Sequence, residues 1–147
     1  MFRKLTEGIV ISTSPFSVVI FSKSAAKTIL KFVQNDKQKP EAGGLLLGYR
    51  HANNFEITKI TFPFPEDIQR RLYFERNDTN HLSIFSKLRK HSNKPISFLG
   101  EWHTHPECNP IPSSTDLKEW QKTKKNNTEP LVFCILGTEN IFFHLEN

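Results

Sequence analysis

Gly100 to Asp116 brings together two histidines, a serine and an aspartate, residue types that can hold a metal ion or move a proton. His103 and His105 stand at i and i+2. Along an extended chain that spacing points both imidazoles the same way, whereas a zinc-binding helix would need i and i+4. Residues 106–112 contain three prolines and one asparagine, which force a turn and delay any helix until Ser113. Ser113 and Asp116, three apart, then share one side of a first helical turn, so Asp116 can swing back toward the imidazoles. Two histidines and one aspartate, with a fourth position left open, form the pattern of a catalytic zinc site. A closed structural site would use four protein ligands, commonly thiolates.

Each piece taken singly has a plainer reading. Ser-x-x-Asp ahead of Leu117 and Trp120 is also close to a helix capping box. A lone His-x-His can be a surface turn in a chain that also carries His51, His81, His91 and His144. The combination at this spacing is what favours chemistry.

These residues need elements to position them. Phe16 to Phe21 reads as a strand, and Ser22 or Ser24 can cap a helix with Ala25, Ile29, Leu30 and Val33 along one side, ended by polar residues 34–40. Glu41 to Tyr49 reads as a buried strand, joined through residues 51–54 to the alternating strand Phe55 to Phe62 as a hairpin. Pro63 and Pro65 break the sheet, and Gln69 to Arg76 has no clear assignment beyond a lid or insertion across residues 62–80. A helix follows from Thr79 to His91, with Leu82, Phe85 and Leu88 spaced for one buried face, then a strand from Ile96 onward. A helix near Ser114 to Lys125 and strands Leu131 to Leu136 and Ile141 to Leu145, joined by a turn at residues 137–140, complete the chain. The expectation is an α/β protein, one domain over residues 1–147, with a single mixed sheet and about three flanking helices.

The chain of 147 residues carries a formal charge of +5, which admits nucleic-acid, anionic-lipid or acidic-protein partners. Its lysine-rich stretch, residues 118–125, reads better as a solvated helix face. Cys108 and Cys134 lack CxxC spacing and cannot make a disulfide framework, which fits a reduced cytoplasmic setting. The short apolar pieces at Gly8 to Ile11 and Phe16 to Phe21 support neither a signal peptide nor a membrane span.

With the motif in place, His103-x-His105-x7-Ser113-x2-Asp116, together with Glu41 in Pro-Glu-Ala-Gly-Gly-Leu-Leu-Leu-Gly-Tyr, resembles the signature of the JAMM (MPN-plus) zinc metalloproteases. The wording around it, including Asp67-x3-Arg71-x2-Phe74-x-Arg76, is most similar to a small bacterial branch found on integrative elements and in anti-phage operons. The resemblance spans roughly Glu41 to Trp120. It implies a fold related to the cytidine deaminases and cleavage of isopeptide or peptide bonds after the C-terminal glycine of a ubiquitin-like or similarly conjugated protein. It further implies ubiquitin-activating-like and conjugating-like enzymes and a signalling nucleotidyltransferase as partners.

By the same resemblance, His103, His105 and Asp116 hold Zn²⁺, Glu41 moves the water proton, and Ser113 donates to the developing oxyanion. Glu101 then either backs a ligand or flanks the cleft, Trp102 points into the core, and Cys108 is a loop residue. RadC-like proteins share the His-x-His-x7-Ser-x2-Asp spacing, so a nucleic-acid-associated role is the alternative. No helix-hairpin-helix-like segment precedes Glu41, and the basic residues are not interleaved with aromatics, which disfavours nucleic acid. A deaminase would need His-x-Glu with Pro-Cys-x-x-Cys, and Pro106-Glu-Cys-Asn lacks the second cysteine.

Overall fold

The computed structural model describes residues 10–14 and 17–147. The elements run β1 (Val10–Ser14), β2 (Ser17–Phe21), α1 (Lys23–Ile29), a 3₁₀ turn (Leu30–Phe32), β3 (Gly43–His51) and β4 (Asn54–Ile60). They continue with β5 (Ile68–Arg70), β6 (Tyr73–Glu75), α2 (Asn80–Lys90), β7 (Ser97–Thr104), α3 (Ser114–Lys125), β8 (Leu131–Leu136) and β9 (Ile141–Glu146). One mixed seven-stranded sheet, ordered β1-β2-β4-β3-β7-β8-β9, is joined by the small β5–β6 hairpin. The β2–β4 and β7–β8 pairs are parallel and the others antiparallel. The piece expected at Gly8 to Ile11 lies partly outside the described residues, as does Phe16.

Both faces of the sheet are covered, which explains the unbroken apolar run of β8, every residue of which is buried. On one face α1 packs Ala25, Ala26 and Ile29 against Val19, Phe21, Ile57 and Trp102. On the other, Trp120 of α3 covers Leu131, Phe133 and Ile135, while Phe85 and Leu88 of α2 cover Leu45 and Leu47. Among the described residues, no helix is long and apolar enough to cross a membrane. Cys108 and Cys134 are both free thiols.

Two expectations need correction, and one open assignment is filled. The first helix stops at Ile29, so Leu30 and Val33 belong to the tightened turn and loop beyond it; Ser22 is the cap, its Oγ accepting from the Ala25 N–H at 3.2 Å. In α2 the buried residue is His81, wholly enclosed, whereas Leu82 is 55% exposed. His81 displaces it because polar partners await it: Nε2 lies 2.6 Å from Asp67 Oδ2 and Nδ1 lies 2.5 Å from Thr61 Oγ1. Burial works against the Asp67 carboxylate, but N–H donors from Asp78, Phe64 and Asn77 and the imidazole outweigh it and hold its pKa low. Gln69 to Arg76, finally, is an ordered hairpin, pairing Ile68 with Glu75 and Arg70 with Tyr73.

Strand β7 carries an irregularity that bears on the histidines. Leu46 pairs with Gly100 but Leu47 pairs with Phe98, leaving Leu99 as a bulge. Phe98 packs with the α3 side, while Leu99 joins Trp102 on the α1 side. Gly100 adopts φ +149°, and a Cβ there would stand 1.7 Å from the Val132 carbonyl oxygen. Gly100→Ala should therefore lose about 3 kcal/mol or more of stability, or fail to fold, because backbone rather than side chain must yield. Chemical denaturation of the variant checks this, and an unchanged midpoint would contradict the bulge geometry.

Candidate metal centre

Beyond the bulge, β7 alternates regularly. Trp102 and Thr104 are buried on the α1 side, which leaves His103 to face α3 with His105 one step past the strand end. The expected turn through residues 106–112 then brings the chain back, and α3 begins at Ser114 with Ser113 as its cap. His103 Nε2 and His105 Nε2 are 3.1 Å apart, and Asp116 Oδ2 lies 3.3 Å from the first and 3.2 Å from the second. Ligand atoms of a tetrahedral ion bound at about 2.0–2.1 Å sit about 3.3 Å from one another. The three donors therefore match one face of such a coordination shell, and their chemistry, two neutral nitrogens and a carboxylate, suits a first-row dication.

The electrostatics agree with a set awaiting positive charge. Burial opposes the Asp116 carboxylate, but the imidazoles of His103 and His105 outweigh it and hold its pKa far below the usual range. Burial likewise disfavours the His105 imidazolium, but the facing Asp116, Glu41 and Glu107 carboxylates dominate and raise its pKa. Ser113 makes the capping box its spacing allowed. It accepts from the Asp116 N–H at 3.0 Å, and its own N–H donates to Asp116 Oδ2 at 2.8 Å, a full capping box whose hydroxyl proton remains free for another acceptor.

The donors open onto a cleft of about 500 Å³. Glu41 lines it just ahead of β3, 6% exposed. Desolvation pushes its carboxyl up to about 7, with the nearby Asp116 and Glu107 charges adding to the rise and His105 opposing it. The opposite wall is the β5–β6 hairpin, whose Phe74 ring lies so close over Gly43 that a Cβ there would come within 2.5 Å of it. Acids dominate the lining: Glu41, Glu75, Glu101, Glu107, Asp116 and Glu119 face a single cation, Arg76.

Glu101 flanks the cleft and does not back a ligand. One of its oxygens accepts from Arg76 Nη2 at 2.9 Å and Nε at 3.1 Å. Sequence reading missed Glu107, whose Oε1 lies 3.1 Å from His105 Nδ1; a carboxylate two residues beyond an imidazole, across a proline, was the available signal. Cys108, as expected, is an exposed loop residue, its thiol donating to Glu139 at 2.9 Å, which raises its pKa.

The family model described as prokaryotic homologues of the JAB domain matches residues 22–145. The chain belongs to this family. Among JAB-domain relatives it is 39% identical over 127 residues to a Pseudomonas aeruginosa protein named CD-NTase/cGAS isopeptidase, covering 85% of this chain and 80% of that one. A protein of the same name from Escherichia coli is 36% identical over 125 residues, covering 85% and 79%. One from Vibrio cholerae is 29% identical over 125 residues, covering 85% and 80%. The JAB fold is also shared with a Desulfitobacterium hafniense protein solved in solution, at a TM-score of 0.58 and 21% identity over 85% of this chain and 80% of that one.

Glu41 gives this JAB-domain centre a measurable signature. Its folded carboxyl titrates near 7 against an ordinary 4.5, so between those pH values the native metal-free state keeps a proton that the unfolded chain releases. The contribution to stability is thus full below 4.5 and is lost as pH rises through 7. Glu41→Gln removes the burden of a buried charge, and the metal-free variant should be more stable than the parent at pH 8 by about 1–3 kcal/mol, with no gain at pH 4. Thermal melts at both values test this, and a variant that melts lower at pH 8 would show that the carboxylate is not strained.

Proposed function

We propose that this chain is a zinc-dependent isopeptidase that releases a protein joined to its target through a C-terminal glycine. The observation that carries the reading is the convergence of His103, His105 and Asp116 in one cleft with the buried Glu41 carboxyl. The names of the Pseudomonas, Escherichia and Vibrio relatives support a conjugated nucleotidyltransferase of the CD-NTase type as the released protein, and with it a place in anti-phage defence in the cytoplasm. Ubiquitin-activating-like and conjugating-like enzymes would then make the bond that this chain cuts.

His103, His105 and Asp116 hold the ion, which when bound supplies Lewis-acid charge at the scissile carbonyl and acidifies water. Glu41, buried in the cleft beside the ligand set, takes the proton from water and returns it to the leaving lysine amine. The free Ser113 hydroxyl proton is available to the oxygen of the carbonyl as negative charge gathers on it. The Phe74 ring, packed close over Gly43, lines the cleft with these groups and leaves little room there, which suits glycine next to the bond.

A RadC-like role on nucleic acid is the second reading. The cleft speaks against it, since outside the ligand set it presents Glu75, Glu101, Glu107 and Glu119 against one arginine, which disfavours a phosphate backbone. Cleavage of paired conjugates, one with glycine before the scissile bond and one with a bulky residue, tests the proposal. Glycine should be preferred by about 10²-fold or more, with no cleavage by the His103→Ala/His105→Ala double variant, which should also purify without zinc. Equal rates, or stoichiometric zinc in the double variant, would sink the assignment.

A further inference from the structure

Two polar side chains are enclosed away from the cleft. Gln34 is 2% exposed and Thr104 wholly buried, and neither lines the cavity beside the histidines. Buried polar groups persist where their hydrogen bonds are all made, so their partners show what they hold in place.

Thr104 stands between His103 and His105 on β7, its side chain on the opposite face. Its Oγ1 accepts from the Ala42 N–H at 3.0 Å, and its hydroxyl donates to Gln34 Oε1 at 2.9 Å. The Thr104 backbone N–H donates to the Ala42 carbonyl at 2.9 Å, so Ala42 is tied at both its N–H and its C=O. Gln34 then uses its amide nitrogen twice, donating to the Lys39 carbonyl at 3.2 Å and to the Arg71 carbonyl at 3.0 Å.

Arg71 belongs to the turn of the β5–β6 hairpin, and that hairpin grips Glu41. The Glu41 N–H donates to the Arg70 carbonyl at 2.7 Å, and Gln69 Nε2 donates to the Glu41 carbonyl at 3.1 Å. The bonds close a circuit from the histidine strand through Thr104 and Gln34 to the hairpin, and from the hairpin back to the residue beside Ala42. Every donor hydrogen of the Gln34 amide and the Thr104 hydroxyl has a partner in it, and each acceptor oxygen takes one bond. The hairpin itself stays at the surface, tied by these bonds to the buried Gln34 amide and to the Glu41 backbone.

We propose that Gln34 and Thr104 are positioning residues, a buried relay that sets Glu41 against the imidazoles of His103 and His105. The proposal rests on the reading of Glu41 as the group that moves the proton. Its leverage is geometric: a displacement of about 1 Å at a reacting group costs about 10²-fold in rate.

The test uses the full zinc-loaded chain with Thr104→Val, Thr104→Ser and Gln34→Met. Turnover and KM are measured on a glycine-linked conjugate, zinc by metal analysis, and exchange of the Ala42 amide proton by NMR. Thr104→Val replaces the hydroxyl by a methyl of the same shape. The Ala42 amide should then exchange at least about tenfold faster, with kcat down about 10- to 100-fold, KM within about twofold and zinc retained. Thr104→Ser should restore both kcat and exchange. Gln34→Met keeps the bond to Ala42 but releases the hairpin, so exchange should quicken at residues 69–71 while kcat falls. Wild-type kcat in Thr104→Val or Gln34→Met would overturn the relay, as would a Thr104→Ser as impaired as Thr104→Val, which would point to methyl packing. If Glu41→Gln itself keeps its turnover, the reading of Glu41 is what fails. The Ala42 exchange rates then decide the relay alone, quickened exchange upholding it and unchanged exchange refuting it.

Discussion

Glu41→Gln should leave zinc content and substrate affinity close to the parent while turnover falls by about 10² to 10⁴. The amide matches the carboxyl in size, and its backbone stays tied to Arg70 and Gln69 whatever the side chain. What it loses is the ability to accept a proton, the role proposed for the Glu41 carboxylate. The proposed ligands are three other residues, so the metal should stay. Single-turnover cleavage of a conjugate, with zinc measured in the same sample, checks the split. A zinc-loaded variant that turns over at the parental rate would sink the mechanism even with every ligand correct.

Asp116 should behave differently, and two substitutions separate its two duties. Its Oδ2 both faces the imidazoles and accepts the Ser113 N–H that caps α3. Asp116→Ala removes both, so the protein should lose its zinc, lose activity by at least about 10²-fold and lose about 1 kcal/mol or more from the helix start. Asp116→Asn keeps an acceptor for the Ser113 N–H but removes the charge. It should hold the helix yet bind zinc far more weakly, with activity returning in part under excess metal. Metal affinity by chelator competition, set beside thermal stability of the metal-free proteins, distinguishes the duties. Parental zinc affinity in Asp116→Ala would remove this residue from the ligand set.

Why the convergence of His103, His105 and Asp116 was legible and its supports were not follows from range. His103, His105 and Asp116 are read by local rules, alternation along a strand, a proline-forced turn and the first turn of a helix, and α3 runs over the residues its pattern indicates. Thr104 meets Ala42 across 62 positions and Gln34 across 70, and no periodicity announces such partners. Gln34 therefore read as a polar residue ending a helix. His81 was hidden behind the regular spacing of Leu82, Phe85 and Leu88, because the enclosed site for its ring is built by Asp67 and Thr61. The bulge at Leu99 is likewise a matter of pairing with β3, invisible in β7 alone.

The acidic lining of the cleft has a consequence at long range. On a chain whose net charge is +5, four acids outside the ligand set, Glu75, Glu101, Glu107 and Glu119, line one opening with Arg76, which biases the local field at its mouth toward the negative. Such a field turns an approaching partner before contact, drawing a cationic segment toward the opening and repelling an anionic one. Orientation then begins in solution, at separations of about a Debye length, roughly 8 Å at physiological salt, and weakens as ionic strength rises. The cleft thus takes part in choosing what reaches it as well as what is cut within it.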